Sequence, residues 1–200
     1  MADPYNVLEY EMKYTYETLK MFLKYKIPAA ILTKAGTKCL RDLEIFKKFG
    51  KHIKIGATLT MDNDKDSRSW EPNAALPNDR LEMLSALHSN GITTWASFEP
   101  VINIDQSLGM MHRSLNCVDI YKIGKLNNFQ GLDKGMDWTR FLSLAVGLLR
   151  SNNKSFYVKH DLRIAAPSVL LRQEETDMNR FNLPAFDISM KQDEQQGFFE

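Results

Sequence analysis

Cysteine is scarce in this sequence: Cys39 and Cys117 are the only two among 200 residues. They lie far apart in unrelated contexts and neither belongs to a C-x-x-C pair, which excludes a disulfide framework. A reduced, cytoplasmic chain is the simpler reading. No apolar run approaches the roughly 18 residues needed to span a bilayer, so no membrane helix is expected. The first ten residues carry acids and proline without an apolar stretch, so no standard secretion signal is read there. An excess of one charge sign is also missing. The formal net charge of +1 gives no global pull toward nucleic acid or membrane, although a local basic patch stays open. The four histidines, His52, His88, His112 and His160, show no H-x-x-x-H or H-E-x-x-H spacing, which argues against a zinc site. No low-complexity block and no exact repeat marks a second domain.

What is present is an alternation of helix and strand. Leu8, Met12, Leu19, Phe22 and Leu23 recur at helical spacing and predict a helix over 8–25. Short apolar runs predict strands over 29–33, 53–59, 92–98, 118–123 and 156–159, the mark of strands buried on both faces. Helices are expected over 39–49, 79–89 (with Asn78 as cap), 104–115, 138–150 and, as a short helix interrupted at Pro167, 162–172. Residues 61–77 read as a long polar loop, and 127–137 as another. From residue 173 onward the chain is polar and irregular, with a disordered tail over 191–196. The expected organisation is a barrel over residues 1–172 followed by an extension over 173–200. Strands alternating with helices imply parallel strands, so the fold class is α/β, an incomplete parallel (β/α) barrel of five to six strands with outer helices.

In such a barrel the C-terminal strand ends form the active face. Each predicted strand here ends in polar residues. Asp3 and Tyr5 precede the first helix, and Lys34 follows the first strand. Thr58 and Thr60 end the second, Ser97 and Glu99 the third, and Lys122, Lys125 and Asn127 the fourth. A ligand like an amino acid suits this ring, with its carboxylate on a lysine and its ammonium on a carboxylate. Asp62, Asp64 and Asp66 imitate part of a calcium loop, but Ser67 replaces the needed glycine and Asn73 the terminal glutamate, so a solvated acidic loop is the better reading. Trp70 and Trp95 could stack a base but more often such residues pack. Lys34 as a Schiff-base lysine of an aldolase or lyase ranks last.

Several segments, taken in order, resemble one family. Asp3-Pro4-Tyr5, Ile31-Leu32-Thr33-Lys34, the run 53–60, Glu71-Pro72-Asn73-Ala74, the run 97–102 and the run 121–128 are together similar to the radical-SAM superfamily, specifically spore photoproduct lyase-like proteins. The resemblance covers roughly residues 1–159. It implies a partial barrel holding S-adenosylmethionine and a [4Fe-4S] cluster, with hydrogen abstraction by a 5′-deoxyadenosyl radical and the hard chemistry carried by the cofactors. It assigns Asp3, Tyr5, Lys34, Thr58, Thr60, Ser97 and Glu99 to cofactor binding. Lys122, Lys125 and Asn127 become substrate-binding, with phosphate as their partner if the substrate is nucleic acid.

One departure stands out. The family's C-x-x-x-C-x-x-C loop has no counterpart, so the cluster ligands are absent from this chain and no metal-binding residue is assigned. The resemblance starts at the end of the family's second strand. The expectation is a portion of a radical-SAM enzyme that is inactive alone, completed by a chain or segment supplying the first strand and the cysteine loop. The alternative is a non-catalytic α/β binding or interaction module completed by a partner chain.

Overall fold

A computed structural model describes residues 3–125 and 135–187. Five strands form one sheet in the order β1 (Ala29–Thr33), β2 (Ile53–Thr58), β3 (Thr93–Phe98), β4 (Ile120–Ile123) and β5 (Ser155–Val158). Every neighbouring pair is parallel. Five of the expected strands are therefore present within two residues of their expected limits, and the architecture is a partial parallel barrel.

The register sorts the sheet into two faces, because paired residues of parallel strands point the same way. Ile31, Ile55, Ala96, Tyr121 and Phe156 belong to one face and are all buried. They share a core with Phe46 and Phe49 of α3 (Leu43–Phe49), Leu84 and Leu87 of α5 (Pro77–Ser89), Met110 of α6 (Ile104–Ser114) and Phe141 and Leu149 of α7 (Trp138–Ser151). Leu32, Gly56, Trp95, Lys122 and Tyr157 belong to the other, inner face.

Several expected helices differ in detail. The helix read over 8–25 is two pieces, α1 (Glu9–Met12) and α2 (Tyr14–Lys24). The break falls at Lys13, whose φ of 54° is left-handed and ends a helix. The helix over 39–49 begins instead as a 3-10 helix (Gly36–Asp42) and turns α-helical only at Leu43. The polar stretch 61–77 is not all loop. It holds α4 (Asp64–Trp70), capped by Asn63, whose side chain accepts from the Asp66 amide. That helix carries little apolar patterning, so periodicity could not find it; its cap is the readable signal. Asn78 is not the cap of α5, which starts at Pro77. Proline's missing N–H and fixed φ suit that first position. The last helix, α8 (His160–Ala165), starts two residues before its expected limit and stops ahead of the expected interruption at Pro167, without resuming beyond it.

Residues 166–187 run on irregularly with two 3-10 turns and dock against the sheet. Lys54, at the start of β2, donates to the Phe181 carbonyl, and Phe181 is buried. Phe186 stacks on His52 at 3.8 Å, and the His52 ring contacts the Pro184 carbonyl. Glu175 is buried and accepts both Nε and a terminal nitrogen of Arg150 at 2.8 and 2.6 Å. This strap therefore covers the N-terminal end of the inner face at β2. The expected tail over 191–196 lies outside the described residues. Among the described residues no helix is long and apolar enough to cross a membrane.

Candidate active face at the strand ends

The polar residues at the C-terminal strand ends fall into two groups. The first gathers around the end of β1. Asp3 is a structural anchor: one carboxylate oxygen accepts from the Thr33 hydroxyl at 2.6 Å and the Tyr5 amide at 2.8 Å. The other accepts from the Lys34 amide at 2.6 Å. Tyr5 is buried, and its hydroxyl donates to Asp42 at 2.9 Å. Burial, then the Asp42 charge, pushes that phenol far above its ordinary value. Both residues therefore shape the wall and direct their polar atoms into the protein.

Lys34 pairs with Glu71 at 2.6 Å, and Glu71 also receives Arg80 at 2.6 Å. Arg80 is only 2% exposed. It donates further to the carbonyls of Ala75 and Thr58 at 2.7 and 2.8 Å, tying the loop before α5 to the end of β2. Burial works against ionisation of Glu71, but the Arg80 and Lys34 charges outweigh it and hold the carboxyl below its ordinary value. Arg80 was not among the expected site residues. Its signal is its place on the buried stripe Pro77, Arg80, Met83, Leu84, Leu87, where an arginine needs partners.

Around this network lies a cleft of about 1060 Å³. Its wall includes Asp3, Tyr5, Lys34, Arg41, Trp70 and Asp79. Arg41 approaches the rings of Tyr5 and Tyr10 at 5.7 and 5.8 Å and pairs with Glu9 at 2.7 Å. The cleft thus mixes carboxylates, cations and aromatic faces.

The second group lies on the inner face. Thr58, Ser97 and Lys122 sit side by side in register, and Thr58 and Ser97 are buried. Thr60 is 1% exposed, and its hydroxyl has no hydrogen-bond partner. Glu99 pairs with Lys159 beyond the end of β5. Gly124 permits that approach, since a Cβ there would lie 2.9 Å from the Lys159 side chain and 3.0 Å from Glu99. Trp95 lies flat over Gly56, where a Cβ would meet the indole at 2.7 Å. Its Nε1 reaches across to donate to the Ile31 carbonyl at 2.9 Å. Lys122 rests over that indole, 4.8 Å from the ring centre. Burial, then the Lys159 charge, lowers the Lys122 amine below its ordinary value. Burial, then the Lys122 charge, does the same to Lys54. Lys125 is half-buried just beyond β4. Asn127 lies outside the described residues.

No family model matches this chain, and no curated protein matches it either. The fold is similar to that of SuiB from Streptococcus suis. The structure of SuiB bound to S-adenosylmethionine matches with a TM-score of 0.60 and 14% identity, over 86% of this chain and 41% of SuiB. The structures of SuiB alone and of SuiB bound to precursor peptide SuiA match with the same TM-score and identity. At this identity the likeness establishes the partial parallel barrel and nothing finer. The chain spans about two-fifths of SuiB.

The residues present do not fit an iron–sulfur cluster. Such a cluster is held by thiolates. Cys39 is fully buried, and burial with the Asp42 charge pushes its thiol up to about 12. Cys117 is buried at the far end of β4, and burial raises its thiol as well. Among the described residues no three histidine, cysteine or acidic side chains converge to hold a metal ion. In α4, Asp66 accepts from the side chains of Asn63 and Gln106.

Proposed function

We propose that this chain is a portion of a radical-SAM-type barrel, similar in its residue order to spore photoproduct lyase-like proteins, and that it binds S-adenosylmethionine in the cleft beside β1. One observation carries the reading. Asp3, Tyr5 and Lys34, which come from two separate segments of the resemblance, line one cleft on the open side of the sheet. At about 1060 Å³ it lies at the upper limit of small-molecule sites, roughly 300–1,000 Å³. The fold likeness to SuiB, which has been solved with S-adenosylmethionine, supports the same reading. Lys34 suits a carboxylate, Asp79 suits an ammonium or sulfonium charge, and Trp70 and Tyr10 offer rings for a base. The cluster belongs to another chain or segment, and no radical step is assigned to these residues. Hydrogen abstraction, from a nucleic-acid substrate that meets Lys122 and Lys125, is the reaction class of the completed assembly.

Calorimetric titration of S-adenosylmethionine into the protein tests the binding step. Saturable heat is expected, and Lys34→Ala should weaken affinity by about tenfold, the loss of one charge-assisted contact. Absence of heat, or identical affinity in the variant, would overturn the reading.

A second reading, an interaction module completed by a partner, draws on one observation. Most of the exposed large apolar side chains among the described residues lie within the first 27 residues, including Val7, Leu8, Tyr10, Tyr14 and Tyr25. They flank β1, which pairs on one side only. The occupant would be a chain bearing a strand and a cysteine loop. Association independent of S-adenosylmethionine, seen by light scattering and lost in Val7→Asp/Leu8→Asp, favours this reading over the first.

A further inference from the structure

Positive charge is unevenly spread along this chain. Residues 13–54 hold eleven lysines and arginines against three acids, a net +8, whereas the whole chain is +1. That stretch includes the outer helices α2 and α3, which pack side by side. A groove of about 350 Å³ runs between them, and Lys20 of α2 and Lys48 of α3 both line it. Lys24 lies one turn beyond Lys20, and Lys51 follows Lys48 by three residues, so each wall carries the charge onward. All four side chains are exposed. The acids nearby offset little of this charge. Glu17 pairs with Lys20 at 3.0 Å and Glu44 with Lys47 at 2.9 Å, both as exposed pairs that water screens. Asp42 is buried and held by the Tyr5 hydroxyl. Lys26, Lys48 and Lys51 have no carboxylate partner among the described residues. Rings stand among the lysines: Tyr16 lines the groove with Lys20 5.8 Å from its centre, and the exposed Tyr25 lies 5.7 Å from Lys24.

We propose that α2 and α3 form a docking surface for single-stranded nucleic acid. The two lysine rows meet its phosphates, and the tyrosine rings beside them stack on its bases. Rows of ammonium groups along both walls of a groove match a chain of closely spaced negative charges, whereas a small anion would use only one pair of them. An anionic bilayer is the rival polyanion, and it calls for an apolar face beneath the lysines. On α2 that face is turned inward: Leu19 is buried, and Phe22 and Leu23 pack against the core. Met21 apart, the large apolar side chains exposed along residues 14–25 are Tyr14 and Tyr25. The groove shares only Arg41 with the cleft beside β1. The inference therefore does not rest on S-adenosylmethionine binding.

The test is fluorescence anisotropy of a labelled oligothymidylate, titrated with the protein over a series of salt concentrations. Binding should weaken steeply as salt rises, because each phosphate neutralised on a single strand adds about 0.7 to the slope of log affinity against log salt. Lys20→Gln/Lys48→Gln should lower affinity by about tenfold at low salt and flatten that slope by about 1.4, while the near-ultraviolet circular dichroism stays native. Lys65→Gln/Arg68→Gln removes two exposed cations from α4 instead, for the same change in net charge, and should bind like the native protein. Tyr25→Leu should weaken binding several-fold and leave the salt slope unchanged, since it removes a ring and no charge. Binding that is absent or indifferent to salt, an equal loss in the two double variants, or an unaltered affinity in Tyr25→Leu would each overturn the proposal. Tighter binding to phosphatidylserine vesicles than to the oligonucleotide would overturn it in favour of a membrane surface.

Discussion

The two edges of the sheet are finished in opposite ways. Beside β5 the chain doubles back, and Glu175 fastens the strap to Arg150 and to the Arg172 amide at 2.8 Å. Beside β1 no such cover is formed by the described residues. Ala30 is exposed, and α1, α2 and the residue that ends α2 present Tyr10, Met21 and Tyr25 to solvent. Order near the bare edge comes instead from a buried polar network, Lys34–Glu71–Arg80, held between loops. At both edges a buried carboxylate meets an arginine, Glu175 with Arg150 under the strap and Glu71 with Arg80 beside the cleft. Only the second leaves charged groups beside an open cleft.

Substitutions can separate these two modes. Arg80→Met removes three hydrogen bonds and strips a buried carboxylate of its main counter-charge. It should cost about 3 kcal/mol or more in a denaturant melt and should disorder the cleft wall first. Glu175→Gln at the covered edge should cost about 2 kcal/mol, the scale of hydrogen bonds to a charged group. Its pH behaviour has a definite sign. Burial opposes ionisation of Glu175, but the Arg150 and Arg172 contacts outweigh it, so its carboxyl titrates below the ordinary 4.5 in the folded protein. Its stabilisation is complete above 4.5 and is lost as pH falls through the folded value. Native and Glu175→Gln proteins should therefore converge in stability on acidification, and parallel melts across pH 3 to about 6 would show it. The smallest effect is expected at Thr60→Val. Removing a buried hydroxyl that has no partner should raise stability by up to about 1 kcal/mol. A loss of stability there would mean that the hydroxyl is satisfied in solution.

The strands were legible because each is a short apolar run between breakers, and the register then follows from a simple parallel order. The inner face was only half legible. Thr58, Ser97 and Lys122 stand at strand ends in the sequence pattern, and alternation places them on one face. That Trp95 would lie across Gly56 and reach β1 could not be read, because no local pattern reports how a side chain lies across neighbouring strands. The cleft shows the same limit. Asp3, Tyr5 and Lys34 were read as ligand contacts, yet the folded chain satisfies Asp3 and Tyr5 internally through Thr33 and Asp42, 30 and 37 residues away. Partners at such separations are fixed by tertiary packing. Arg80 was missed for the complementary reason: a helix pattern weighs residues by hydropathy and passes over an arginine that is buried by its bonds.

The indole of Trp95 has one more consequence. It touches β1 through the Ile31 carbonyl, rests on β2 at Gly56, springs from β3 and carries Lys122 of β4 on its face. A single chromophore thus samples four of the five strands. Its emission is isolated in a Trp70→Phe/Trp138→Phe background, because Trp138 is buried as well while Trp70 is 40% exposed. Anything that enters the inner face must change the light this one ring gives off, so the protein carries its own optical gauge of occupancy.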